Sequence, residues 1–227
     1  MNEIEKNTVE AVRQLEGEGS VFFLRGGEDP GLKVLFVGNS ITLHGPKADL
    51  GWNGWHGMAA SSPEKDYVHL CIREMTKKHP DASFAIAQVC EWEVNYKNGA
   101  ESHCLYAAAR DFGADLIILR AVENCPLKDF DADTFAAAYK ALIEYLDPAG
   151  KADVVLTTSF WPHPADEAIR AVAEEKGYAL CELGDLGRDP AMKAIGLFEH
   201  RGVAEHPGDA GMRAIADRIL AALEKTK

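Results

Sequence analysis

The sequence predicts an α/β fold, a three-layer α/β/α sandwich whose central parallel sheet has about five strands. Three observations carry this expectation. Five short apolar runs alternate along the chain with segments of helical periodicity. Each run is apolar almost without interruption, as in strands buried on both faces, and is bounded by Gly, Asp or Pro. No internal repeat, low-complexity tract or linker divides the 227 residues, so a single domain over 1–227 is expected.

The elements follow in order. The opening "MNEIEKNTVEAVRQLEGEG" is charged and helix-like, unlike a secretory leader. With "SVFFLR" at 20–25 it gives an N-terminal helix and extended segment over 1–31, packed on the domain, the extended part as an edge strand or a covering strip. "LKVLFVG" from Leu32 is the first strand of the sheet. The connection 41–61 is too Gly-rich and irregular for a helix, and it is long for a strand-to-helix loop. Ser62 as N-cap and Pro63 at the first helical position open a helix expected over 64–78. Within it Val68, Cys71, Ile72 and Met75 recur at helical spacing. "ASFAIAQV" from Ala82 is the second strand, followed by a helix over 100–112. "DLIILR" from Asp115 is the third, followed by a helix over 133–147. "DVVLTTSF" from Asp153 is the fourth, followed by a helix over 166–176. The weaker "YALCEL" from Tyr178 is the fifth, and a helix over 208–225 ends the chain.

Composition excludes several classes of function. A net charge of -12 argues against a nucleic-acid partner, because phosphate binding needs clustered Lys and Arg. No apolar run approaches membrane-spanning length, so no membrane partner and a cytoplasmic location are expected. The five cysteines, at 71, 90, 104, 125 and 181, are scattered without CxxC spacing, which suits free thiols in a reducing compartment. "GNSITLHG" lacks both phosphate-cradling patterns, GxxxxGK[ST] and GxGxxG, and His163, His206 and Asp209 match no ligand spacing. Neither a cofactor nor a metal is expected.

The chemistry centres on "KVLFVGNSITLHGP", Lys33 to Pro46, where a buried strand runs straight into Gly-Asn-Ser. Those residues make a serviceable turn. They also place a hydroxyl at the mouth of a parallel sheet, where ligands bind. Ser40 needs a base to take its proton and donors to receive an oxyanion. Of the eight histidines, His69, His79 and His103 fall in or beside helices, His44 and His56 in the long loop, and His163 after the fourth strand. His200 and His206 lie in "LFEHRGVAEHPGDAGM", which leads into the last helix, and position favours these two without choosing between them. The long loop carries Trp52 and Trp55, either a lid over the core or a wall on which a sugar ring stacks. Glu91 and Arg120, at strand ends, join them as substrate-binding candidates. For Arg120 an ion pair with a nearby Glu competes with clamping of a substrate carboxylate.

"VLFVGNSIT" resembles the first signature block of the SGNH (GDSL-like) hydrolases, whose Ser in G-[DN]-S is the nucleophile. "EHPGDAGM" resembles their last block, which makes His206 the base in preference to His200. "LIILRAVEN" resembles the block whose Asn donates to the oxyanion, here Asn124. The resemblance spans Leu32 to Leu223 and implies a flavodoxin-like sandwich. It implies a serine esterase with Ser40, His206 and an oxyanion hole built from the Ser40 amide, Asn124 and one further amide. Within a family of lipases, thioesterases and sugar O-acetyl esterases, the Trp residues favour an acetylated carbohydrate as the small-molecule substrate. The sequence also departs from the family. The acid three residues before the histidine is replaced by Val203, so a backbone carbonyl near 203–204 is expected to orient the imidazole. "VCEWEVNY" lacks the glycine expected after the second strand, leaving an amide near Glu91 to substitute, and Val122 stands where another glycine is expected. A non-catalytic sugar-binding module is the rival reading, and a flavodoxin-like nucleotide binder the third.

Overall fold

The computed structural model describes residues 20–25 and 30–224. The helix expected at the N-terminus lies outside the described residues. The elements are β1 (Val21–Arg25), β2 (Lys33–Gly38), α1 (Tyr67–Lys78), β3 (Ser83–Gln88), α2 (Cys90–Val94) and α3 (Ala107–Phe112). They continue with β4 (Leu116–Arg120), α4 (Ala132–Leu146), β5 (Asp153–Thr157), α5 (Ala165–Lys176), β6 (Ala179–Cys181), α6 (Arg201–Ala204) and α7 (Asp209–Leu223).

The sheet has six strands in the order β1-β3-β2-β4-β5-β6. All neighbours are parallel except β1, which pairs antiparallel with β3 (Val21 opposite Ala87). "SVFFLR" is therefore an edge strand. Alternation along the strands sends side chains to two cores. Val34, Phe36, Phe84, Ile86 and Ile118 pack under α1 and α7 against Val68, Cys71, Met212 and Ile215. Leu35, Val37, Ala85, Ile117 and Leu119 face the other layer, against Ala109, Phe135, Tyr139, Ile169 and Val172 of α3 to α5. Burial on both faces is the physical reason these strands read as unbroken apolar runs.

Three local expectations are corrected. The first long helix begins at Tyr67, because buried Asp66 caps it by accepting from the His69 amide at 2.8 Å and also takes the Gly57 amide at 3.0 Å. Ser62 and Pro63 open a separate 3-10 turn, and the Ser62 side chain makes no capping bond. The segment expected as a helix over 100–112 is α-helical only in α3, after a 3-10 run (Tyr96–Tyr106) broken at Asn98. There Gly99 lies so close to Trp92 that a Cβ would meet its Nε1 at 2.4 Å. Two short helices, α2 and α6, stand where the sequence carries no helical expectation, because a single turn is too short to show periodicity. No helix among the described residues is long and apolar enough to cross a membrane.

The topology places the site. From β2 the chain passes first to β3 on one side and then to β4 on the other, so the carboxyl end of β2 is a topological switch point, where a crevice opens. Gly38 closes that strand where a Cβ would meet Thr42 Oγ1 at 1.9 Å and the Arg120 carbonyl at 2.8 Å. Only glycine allows the following turn to approach the sheet so closely.

Candidate active site

Ser40 follows that glycine on a tight turn. The Asn39 carbonyl accepts from the Thr42 and Leu43 amides at 2.8 and 2.9 Å, and Asn39 Oδ1 accepts from the Ile41 amide at 3.2 Å. From this turn Ser40 Oγ lies 2.9 Å from His206 Nε2. The two residues are 166 positions apart in sequence.

His206 sits between α6 and α7, its carbonyl accepting from the Ala194 amide at 2.9 Å and its ring edge-on to Trp161. Its Nδ1 is 2.7 Å from the Gly202 carbonyl, an atom that can only accept. Nδ1 is therefore the protonated nitrogen, and Nε2 turns its lone pair to the serine. Burial lowers the imidazole pKa to about 4, opposed by the Gly202 carbonyl and reinforced by His44 and Arg120 nearby. The ring is neutral at neutral pH.

The Nδ1 partner is the carbonyl of Gly202, four residues back, and not one at 203–204: the single turn of α6 aims it at the ring. Among the described residues no carboxylate takes its place. Val203 is buried with Trp52, Met58, Ala59 and Ala194, and Glu205 is drawn away to Lys193 at 2.8 Å.

Under Ser40 lies a buried polar network. Asn39 Nδ2 donates to Glu93 Oε1 at 2.8 Å and to Glu123 Oε2 at 2.6 Å. Arg120 donates to Glu123 Oε1 at 2.5 Å and, through Nη2, to Asn39 Oδ1. Glu123 also accepts from the Phe160 amide at 2.9 Å. Glu93 accepts from the Val122 amide and, at 2.5 Å, from Asn124 Nδ2. Arg120 holds Glu123 below the usual carboxylate range against the cost of its burial. Burial and the Glu123 charge push Glu93 up to about 7.

Ser40, His206 and Asn124 border one cavity of about 210 Å³, together with His44, Gln88 and Cys90. The Cys90 amide, beside the position where a second backbone donor was expected, donates to Gln88 Oε1 at 2.9 Å. The Cys90 thiol is pushed up to about 12 by burial and by Glu93 and Glu91, so it stays protonated and offers no rival nucleophile. A second cleft of about 550 Å³ adjoins, sharing Leu50 and His200 and adding Asp49, Phe198 and Glu199. Hollows of similar size at the amino ends of the strands, beside Asp115 and Tyr178, share no lining residue with these two clefts.

The four substrate-binding candidates are not at the cavity. Trp52 is 3 % exposed, packs on His56 and Phe198, and donates to the His44 carbonyl, so it is core. Trp55 is 51 % exposed but lies against Phe22 of the edge strand. Glu91 accepts from Asn95 Nδ2 on the same stretch of chain. Arg120 is wholly buried in its pair with Glu123 and has no access to a ligand. Sequence reasoning missed Glu93 and His44. The signal for Glu93 was present in "CEWEV", two carboxylates two residues apart, of which α2 turns the second inward.

Trp52→Ala is expected to destabilise the fold by about 3–5 kcal/mol, the usual cost of a buried indole. Trp55→Ala is expected to cost less than about 1 kcal/mol. Thermal melts of the two variants check this.

No family model and no curated protein matches the sequence. Solved structures do. A psychrotrophic esterase, EstA, from Pseudoalteromonas sp. superposes with a TM-score of 0.58 at 14% identity, covering 85% of this chain and 97% of that one. A two-domain esterase (CEX) active on acetylated mannans gives 0.55 at 19% identity, covering 86% of this chain and 49% of its own. A putative GDSL-like lipase from Parabacteroides merdae gives 0.55 at 16% identity over 86% of this chain and 97% of that one. With its six-stranded, mostly parallel sheet between helical layers, and its likeness to these proteins over about 85% of its length, this chain has the SGNH (GDSL-like) hydrolase fold.

Proposed function

We propose that the protein is a serine esterase acting on a small ester, an O-acetyl group of a carbohydrate. The observation that carries the reading is the contact of 2.9 Å between Ser40 Oγ and His206 Nε2 at the switch point of the sheet, with Nδ1 already satisfied by Gly202. His206 Nε2 takes the serine proton as Oγ attacks the ester carbonyl. The tetrahedral oxyanion is received by the Ser40 amide and Asn124 Nδ2. The imidazolium then protonates the leaving alcohol, and the acyl-serine is hydrolysed by water activated at the same nitrogen.

Two features support the substrate class. The cavity at Ser40 is small, about 210 Å³, which suits a short acyl group. The adjoining cleft carries Asp49, Glu199 and His200, groups that hydrogen-bond a polyol rather than an alkyl chain. The solved structure that acts on acetylated mannans shares the fold. The test is a panel of acetyl, butyryl and longer aryl esters and acetylated oligosaccharides, run on wild type and Ser40→Ala in parallel. Acetyl preference with loss of turnover in the variant supports the reading. Sugar binding without turnover would favour a non-catalytic module.

A further inference from the structure

Resting on the esterase reading, we propose that Glu93 is a positioning residue that sets which end of the Asn124 amide faces the reacting carbonyl. Glu93 is fully buried and, as a carboxylate, acts only as an acceptor, meeting three donors: Asn39 Nδ2, the Val122 amide and Asn124 Nδ2. Two of these donors cannot become acceptors. The Val122 amide is backbone. Asn39 is tied at both ends, its Oδ1 to Arg120 and the Ile41 amide and its Nδ2 to Glu93 and Glu123. Asn124 is the one partner able to turn over, because among the described residues its Nδ2 bond to Glu93 is its sole side-chain hydrogen bond.

A carboxylate at 93 holds Asn124 Nδ2 towards itself and leaves the second Nδ2 hydrogen for the cavity that Asn124 borders. An amide or a carboxylic acid at 93 reverses this. Its one oxygen without hydrogen must serve Asn39 and Val122, so a donor is left facing Asn124. Asn124 answers by turning Oδ1 inward to Glu93, and a lone pair replaces the hydrogen offered to the oxyanion. The role parallels that of an acid that orients a catalytic histidine, applied here to the oxyanion donor.

The same geometry ties the amide to protonation. The charged and titratable groups around Glu93 are Glu123 and Arg120 at the end of β4, Cys125 beyond them, Cys90 on its own helix and Tyr139 of α4. Burial and Glu123 raise the Glu93 pKa to about 7. The acceptor-only form is therefore gained as pH rises through neutrality, and turnover rises with it.

The experiment measures kcat and KM on an aryl acetate for wild type, Glu93→Gln, Asn124→Ala and the double variant. Glu93→Gln is expected to lower kcat about 100-fold with KM unchanged, the scale of losing one oxyanion donor. The double variant is expected to fall within about threefold of Asn124→Ala, because one residue acts through the other. Multiplicative losses, or turnover raised by Glu93→Gln, overturn the proposal. If Glu93→Gln does not fold, wild type and Asn124→Ala decide. The wild-type kcat rises through a limb near neutral pH that is missing in Asn124→Ala, and a limb that persists there, or no limb at all, overturns it. A wild type inactive on every ester overturns the esterase reading and this proposal together, whereas an active wild type with independent losses overturns this proposal alone.

Discussion

Ser40→Ala is expected to lower ester turnover by about 10⁵-fold or more, the scale seen when the nucleophile of a serine hydrolase is removed. Stability should scarcely change. The lost atom is one hydroxyl on a turn whose backbone bonds, from Thr42, Leu43 and Met58, are made by other groups. The turn geometry depends on Asn39 and Gly38, which the substitution leaves intact. A melting temperature within about 2 °C of wild type, alongside lost turnover and lost labelling by a fluorophosphonate, is the expected combination. Wild-type turnover in the variant on every ester tried would remove Ser40 from the mechanism.

His206→Ala is expected to cost about 10⁴-fold or more in kcat and to abolish fluorophosphonate labelling of Ser40. His200→Ala should change kcat no more than about twofold, because His200 is exposed at the rim, where the two cavities meet. With its pKa lowered to about 4, His206 stays a free base through mildly acidic pH, and its own loss of activity comes only as pH falls through about 4. Stability follows the same protonation. In the unfolded chain the imidazole titrates at 6.5 and in the folded one near 4, so its contribution is complete above 6.5 and is lost as pH falls between them. That acid sensitivity should be weaker in His206→Ala. Equal kinetic losses from the two histidine variants would leave the base unassigned.

Replacing the usual acid by a carbonyl has a kinetic consequence. The Gly202 carbonyl secures the tautomer that an aspartate would secure, but it adds only a dipole against the imidazolium formed during attack. A modest esterase is therefore expected, with turnover indifferent to Glu205→Gln because Glu205 is engaged by Lys193.

Much of this was legible because it is local. A strand buried on both faces announces itself by unbroken apolarity, and Lys33–Gly38 begins and ends within a residue of its expected position. Gly-Asn-Ser at its end and His-Pro-Gly-Asp before the last helix are short, contiguous signals, and they named the two side chains that the structure brings to 2.9 Å. Short elements were not legible. The five residues of α2 and the four of α6 show no period, yet α2 turns Glu93 inward and leaves Glu91 outside, and α6 delivers the Gly202 carbonyl to the histidine. For Trp52 the sequence left two readings open, because an aromatic residue in a Gly-rich loop looks alike whether it covers the core or faces a substrate, and burial at 3 % decides for the core.

By itself the sequence determined the alternation of strands and helices, the sheet it implies, and the serine and histidine placed at its edge. Only the tertiary structure decided what surrounds them. The network under Ser40 joins Asn39 to Glu93 and Glu123 across 54 and 84 positions of chain, and which end of each side-chain amide faces which partner is set by the other members. Periodicity and turn chemistry act between neighbours within a few residues. Burial, tautomer and amide orientation are set by partners that only folding brings within about 3 Å, at a distance where desolvation makes each unmatched donor or acceptor costly.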